Sequence, residues 1–227
     1  MSRRPWNLSF GLGSLLAALA QGFAMGGIID GIQVEDHRFV GGIFDWLSPF
    51  SALVAVGVVL GYALLGTTYL ILKTEGDIQR LNFKHAEKAA YLMLLAVVGV
   101  SLWTPLRLEY IAQRWFALPN FFYLSILPLL ALVVFIMLIR SLHRGYERSP
   151  FGWSLMFFAV SFIGLAASLY PYIVPTAVTL GGGAASAKTL GFMLMGIGML
   201  VPLMLGYNAY QYRVFSGKVH EIAEGER

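Results

Sequence analysis

The sequence predicts an all-α protein, a polytopic membrane helix bundle of about six transmembrane helices. Three observations carry this. Of 227 residues, 58% are hydrophobic and 12% charged, and mean hydropathy is +0.70, whereas a soluble domain carries about a quarter charged residues. The apolar residues fall in six runs, each near the ~20 residues that cross a bilayer as helix. Lys, Arg and aromatic residues gather between the runs. Barrel strands of ~9–11 alternating residues would not give such unbroken runs. The runs use nearly the whole chain, so 1–227 reads as a single transmembrane domain.

The first span runs from about Leu8 to Ile32. It is long, rich in glycine and followed by Asp30 and Glu35 rather than a small-residue cleavage site, so it is expected to stay in the protein. Gln21, near its centre, reads as helix-to-helix glue, with a transport site as the alternative. Gly22 and Gly26 form a small-xxx-small pair that lets a neighbouring helix approach, through general packing or an oligomer interface. Asp30 reads as an interfacial residue, with a proton or ion transport site as the alternative.

The second span, about Phe50 to Leu72, follows Asp45-Trp46-Leu47-Ser48-Pro49, an interfacial tryptophan with a Ser-Pro helix start. Asp45 and Trp46 are expected to anchor and cap. Gly57 with Gly61 is a second small pair. At its far end come Lys73-Thr74-Glu75-Gly76, where Lys73 and Glu75 either terminate a solvated helix or pair with a partner subunit. The third span covers about Ala89 to Leu106, and the fourth about Phe121 to Ile139, with Pro128 expected to kink it. The fifth, about Trp153 to Val174, carries Gly164 and Ser168. Gly181-Gly182-Gly183 reads as a flexible connector, since no strand precedes it as in a phosphate loop. The sixth, about Leu190 to Tyr210, contains Pro202. Spans two to six hold no Asp, Glu, Lys or Arg, as expected where a central charge costs about 2.5–3.5 kcal/mol.

Twelve of the sixteen basic residues fall on one side: Arg3, Arg4, Lys73, Arg80, Lys84, Lys88, Arg140, Arg144, Arg148, Arg213, Lys218 and Arg227. Arg38, Arg107, Arg114 and Lys188 fall on the other. The excess marks the first side as cytoplasmic and places both termini there. Trp6, Trp46, Trp103, Trp115, Trp153, Tyr170 and Tyr172 near span ends fit an interfacial belt. Short loops make consecutive helices antiparallel neighbours.

The inventory excludes several chemistries. There is no cysteine, so disulfides, thiolate metal sites and a cysteine nucleophile are ruled out. The basic residues sit in short loops rather than an aromatic-interleaved stripe, which argues against nucleic acid despite a net charge of +4. No Gly-x-Ser-x-Gly, His-Glu-x-x-His or Walker lysine motif occurs. His37, His85, His143 and His220 all fall outside the spans, and Met193, Met195, Met199 and Met204 read as packing, so no haem is expected on this chain alone. Asn208 with Tyr207, Tyr210 and Tyr212 reads as the inner interface of span six, open to a headgroup contact.

Several stretches resemble subunit II of the cytochrome bd-type quinol oxidases, including the cyanide-insensitive branch. They are Gly13-Ser14-Leu15-Leu16-Ala17-Ala18 with Gln21-Gly22, Asp45 through Phe50, and Gly61-Tyr62-Ala63-Leu64-Leu65-Gly66 on to Lys73-Thr74-Glu75-Gly76. They continue with Ser168 through Pro175, and with Pro202 through Tyr207 and Val214 through Val219. The resemblance implies a respiratory complex of the prokaryotic plasma (inner) membrane that oxidises quinol, reduces dioxygen to water and draws protons from the cytoplasm. It implies a partner, subunit I, bearing haems b and d (or b only) and the quinol-oxidation loop. Subunit II would be its haem-free companion, in some members holding a structural quinone, with a small accessory subunit as a further partner. The implied catalytic, cofactor-binding and metal residues of this chain are none.

Family members usually begin with about three further helices, carrying motifs of the Met-Asp-Gly-Phe-Asp and Trp-Asp-Gly-Asn-Glu types, and neither motif occurs here. Truncation, a split subunit and a natural short form are the three expectations, truncation first. A six-helix transporter or scaffold acting without subunit I is the competing function.

Overall fold

The computed structural model describes residues 4–31, 34–35, 38–175, 177–215 and 217–218. His37, Asp36, His220, Arg3 and Arg227 lie outside the described residues. In chain order the elements are α1 (Arg4–Asp30), β1 (Val34–Glu35), β2 (Arg38–Phe39), α2 (Pro49–Lys73), α3 (Gly76–Arg107) and α4 (Glu109–Phe116). Then come α5 (Asn120–His143), α6 (Ser149–Leu169), β3 (Tyr172–Val174), β4 (Val178–Thr179) and α7 (Ala187–Val214). All but α4 among the helices are long and apolar enough to cross a membrane, which makes six.

The helices start and stop where their chemistry directs. Ser48 caps α2: its Oγ accepts from Ser51 N–H at 3.0 Å, while Ser51 Oγ accepts from Ser48 N–H at 2.8 Å. This reciprocal box satisfies two backbone donors that a helix start leaves orphaned. The α2–α3 joint turns on Gly76 at φ +67°, a left-handed conformation that glycine adopts without a Cβ penalty. α5 ends in a Schellman motif, with Gly145 N–H donating to Leu142 O and Tyr146 N–H to Ser141 O.

Four helices enclose the main core. Leu64 and Ile71 of α2, Ala86, Ala89, Ala90 and Met93 of α3, Val134, Phe135, Leu138 and Leu142 of α5, and Phe157 of α6 form one buried cluster. α1 lies against the opposite flank of α2. A second cluster, Ile29, Phe50 and Val54, closes the far end, with Met25, Val100, Leu108, Leu165 and Leu169 around it. α7 has no buried residue.

Two helix ends depart from expectation. The third span was expected from Ala89, yet α3 starts at Gly76, because the charged stretch Asp77–Lys88 is itself a good helix former and simply extends the span beyond the apolar zone. The fifth was expected to reach Val174, yet α6 ends at Leu169. Tyr172–Val174 instead pairs antiparallel with Val178–Thr179, as Pro171 supplies no N–H to continue a helix. The glycine run after it is a turn on this hairpin: Gly183 N–H donates to Thr179 O and Gly182 N–H to Thr179 Oγ1. α5 and α7 continue through Pro128 and Pro202.

Candidate functional site

The polar and small residues singled out by sequence fall into three places: the α1–α2 seam, the Lys/Arg-poor end, and the Lys/Arg-rich end.

The seam is built on glycine. A Cβ placed on Gly26 would stand 2.5 Å from Ser51 Cα, and one on Gly22 would collide with Ala55 Cα. The two backbones therefore meet with no side chain between them. Gln21 faces the same neighbour, and its Oε1 accepts from Tyr62 Oη at 2.7 Å. Deeper in the bundle Thr68 Oγ1 and Ser154 Oγ are 2.9 Å apart, joining α2 to α6. Gly57 and Gly61 meet only side chains, of Ala96, Phe158 and Met93, while Gly164 has open space beside it.

At the Lys/Arg-poor end, Asp45 Oδ2 accepts from Gly42 N–H at 2.7 Å. Trp46 donates from Nε1 to Ile43 O and meets Phe23 edge to face at 5.7 Å. Gly27 leaves the room that Trp46 occupies on α1. Asp30, at the last position of α1, accepts from Arg107 Nε and a terminal guanidinium nitrogen, both at 3.1 Å. The two oppositely charged residues fell on the same side in the sequence, and that was the available signal for the pair. The short helix α4 buries Ile111 and is fastened to the end of α6. Arg114 donates to Tyr170 O, and Trp115 Nε1 to Ser168 Oγ at 3.1 Å. Burial, reinforced by Tyr172, raises the Tyr110 hydroxyl above its ordinary value of 10.0. α4 is too short and polar to register as a span, and its amphipathic spacing was its only trace.

At the Lys/Arg-rich end, Lys73 Nζ donates to Phe215 O at 2.7 Å and to Gly217 O at 3.4 Å. Lys218 Nζ lies 2.7 Å from Glu147 Oε2 and 3.4 Å from Glu75 Oε1. The foot of α7 is thus clasped to the α2–α3 joint and the α5–α6 turn. Hydrogen bonds from Lys218 and then Gln79 hold the Glu147 carboxyl below its ordinary value, and Glu147 in turn raises Lys218. Above the clasp Tyr69, Lys73, Asn208, Gln211, Tyr212 and Phe215 line a cavity of about 440 Å³. Sequence reasoning picked out Lys73 and Glu75 and missed Glu147 and Lys218. No local pattern links residues 71 or 142–144 positions apart.

Among the described residues, no group of three or more His, Cys, Asp or Glu side chains could hold a metal ion. His85 lies in the charged extension of α3, and His143 is the last residue of α5, bonded through Nε2 to Glu87 Oε1 at 2.9 Å. Neither stands in the apolar part of a span, so the described histidines do not fit axial ligation of a haem within the membrane.

The similarities to known proteins agree with this architecture. A family profile described as cytochrome bd terminal oxidase subunit II matches residues 1–215. Cytochrome bd-I ubiquinol oxidase subunit 2 of Escherichia coli K12 is 24% identical over 251 residues, covering 96% of this chain and 66% of the relative. The same protein from strain O157:H7 matches equally. The chain thus spans about two thirds of the length of these relatives, 66%. The bd oxidase structure from Geobacillus thermodenitrificans shares the fold at a TM-score of 0.70 and 17% identity, over 95% of this chain and 66% of that one. A profile match across nearly every residue, carried on six apolar helices, places this chain in the family of cytochrome bd terminal oxidase subunit II.

Proposed function

We propose that this chain is the haem-free subunit II of a quinol:oxygen oxidoreductase of the prokaryotic plasma membrane, standing beside a haem-bearing subunit I. The observation that carries a partner is α7: a 28-residue apolar helix with no buried residue, fixed to the rest of the chain at its foot. A helix this bare gains packing only from a neighbour, and protein neighbours supply the close van der Waals fit that lipid does not. Its glycines at 191, 196, 198 and 206 have nothing within 4 Å, which leaves room for a helix backbone to approach. Haems b and d, or b alone, belong to subunit I in this proposal, along with quinol oxidation. A structural quinone and a small accessory subunit remain companions of the complex.

The orientation proposed is both termini cytoplasmic. Six crossings return the chain to its starting side, and the basic residues Lys73, Arg80, Lys84, Lys88, Arg140, Arg144, Arg148, Arg213 and Lys218 gather there. A transporter would converge polar groups on a midplane site. Here Tyr62 donates to Gln21, Thr68 and Ser154 bond to each other, and the cavity beside Lys73 lies at the basic end.

Purification of the tagged chain from its native membrane in mild detergent tests the proposal. Co-isolation of a second subunit with reduced-minus-oxidised haem bands and quinol-dependent oxygen uptake is expected. A chain that purifies alone, with no oxidase partner binding when supplied, would overturn it.

A further inference from the structure

Where α3 and α5 reach the basic end, Tyr91, Phe135, Ile136, Ile139, Arg140, His143 and Arg144 line an open groove of about 550 Å³. Its chemistry changes sharply along its length. Ile136, Arg140 and Arg144 recur every four residues and so stack on one face of α5. At 1.5 Å per residue, Ile136 to Arg144 spans roughly 12 Å, from the apolar part of the span to its charged end. The upper walls are apolar and aromatic: Ile136 is half exposed, and Tyr91 meets Phe135 edge to face at 5.7 Å. The lower walls are cationic.

These cations are not spent on carboxylates among the described residues. Among the described residues neither Arg140 nor Arg144 pairs with a carboxylate, and the guanidinium of Arg144 reaches only Tyr146 Oη, at 3.5 Å. Glu87 of α3, which is not among the groove's lining residues, is bonded to the lining residue His143 at 2.9 Å. Its hydrogen bond goes to the imidazole rather than to a guanidinium. Two arginines without a carboxylate partner among the described residues, below an apolar wall, match the order of groups in a phospholipid: acyl chains, then phosphate. Guanidinium forks bind phosphate oxygens in pairs, and basic pockets between helices at the cytoplasmic face hold anionic headgroups.

We propose that this groove binds an anionic phospholipid, its phosphate on Arg140 and Arg144 and its acyl chains along Tyr91, Phe135, Ile136 and Ile139. The site lies outside the α1–α2 seam and the α7 clasp, and its readout is bound lipid rather than oxygen uptake. Failure of the lipid site and failure of the oxidase reading are therefore separable.

The test uses the chain with whatever subunits it retains, purified in mild detergent and reconstituted in nanodiscs of phosphatidylcholine with or without phosphatidylglycerol. Native mass spectrometry after detergent washing should show phosphatidylglycerol retained and phosphatidylcholine washed away. The Arg140→Gln/Arg144→Gln variant should lose preference for the anionic lipid by about 30-fold, from two surface cations, while Arg213→Gln on α7 keeps it. Arg140→Lys/Arg144→Lys should keep most of it, which separates charge from folding. In the unmutated chain, phosphatidylglycerol with a photoactivatable acyl chain should label residues 135–139. Equal retention by wild type and the double Gln variant, or equal retention of phosphatidylcholine, would overturn the proposal. So would displacement of the lipid by inorganic phosphate alone, or a partner chain found covering both arginines.

Discussion

Gly26 of α1 and Ser51 of α2 face each other so closely that a Cβ on Gly26 would lie 2.5 Å from the Ser51 Cα. The obstacle is backbone, so no rotamer change relieves it, and the two helices must separate to admit a side chain. Gly26→Leu should destabilise the fold by at least about 1–3 kcal/mol, the usual cost of overpacking. Reduced accumulation in the membrane and a lowered melting temperature are expected. Gly13→Leu, at a position with nothing within 4 Å, should leave both unchanged. Normal accumulation of the Gly26 variant would dissolve the seam.

The Gln21–Tyr62 hydrogen bond predicts a small, specific coupling. Tyr62→Phe and Gln21→Leu each remove one partner of the 2.7 Å bond. A double-mutant cycle measured by unfolding in detergent should return about 0.6 kcal/mol and at most ~1.7, the range for bonds between membrane helices. A coupling of zero would mean the two groups find other partners.

For Asp30 and Arg107 the geometry is bidentate, but the arginine side chain is 52% exposed and the aspartate 11%. Screening by water holds such a pair to roughly 0.2–1 kcal/mol. Arg107→Gln should cost about that much, and more at low than at high ionic strength. Exchange of the two residues, Asp30→Arg with Arg107→Asp, should recover part of the loss in a thermal melt.

The clasp at the foot of α7 should open in acid. Glu147 has a folded-state value below its ordinary 4.5, so its contribution is present above 4.5 and disappears as pH falls through the lowered value. Lys218 is raised above 10.5, so its contribution is complete below 10.5 and disappears as pH rises through the raised value. Between these limits the clasp should be insensitive to pH. Because the chain has no cysteine, Phe215→Cys gives a unique spin-label site. Its spectrum should stay constant from about pH 6 to 9 and become mobile in stronger acid. Glu147→Gln should be mobile throughout, and a label insensitive to that change would remove the clasp.

Much of this architecture is legible in sequence because the bilayer imposes a simple rule: long apolar runs, charges between them. The same rule hides what lies off the membrane axis. α4 is half polar and eight residues long, so hydropathy passes over it. The extension of α3 to Gly76 is a charged stretch of helix, invisible to a search for apolar residues. Gly22 and Gly26 were readable as a close approach, but their opposite numbers, Ser51 and Ala55, were not, since packing partners are chosen by helix rotation rather than by residue type. Gln21 stood out as polar, whereas Tyr62 passed as one more aromatic. The Lys73 and Glu75 pair was visible as charge beside the membrane, and its connection to Gly217 and Lys218 required the return of the chain from its far end.

The α1–α2 seam also bears on the order in which the chain is made. Gly22 and Gly26 meet residues about 25–33 positions later, so their contact closes as soon as α2 follows α1 out of the insertion machinery. α3 then adds to a hairpin already zipped along its glycines. α7 follows α6 and is held through Lys73 and Lys218, so it joins helices that have already packed, with none of its own residues buried. The nascent chain would thus expose α7 only once the helices before it have packed.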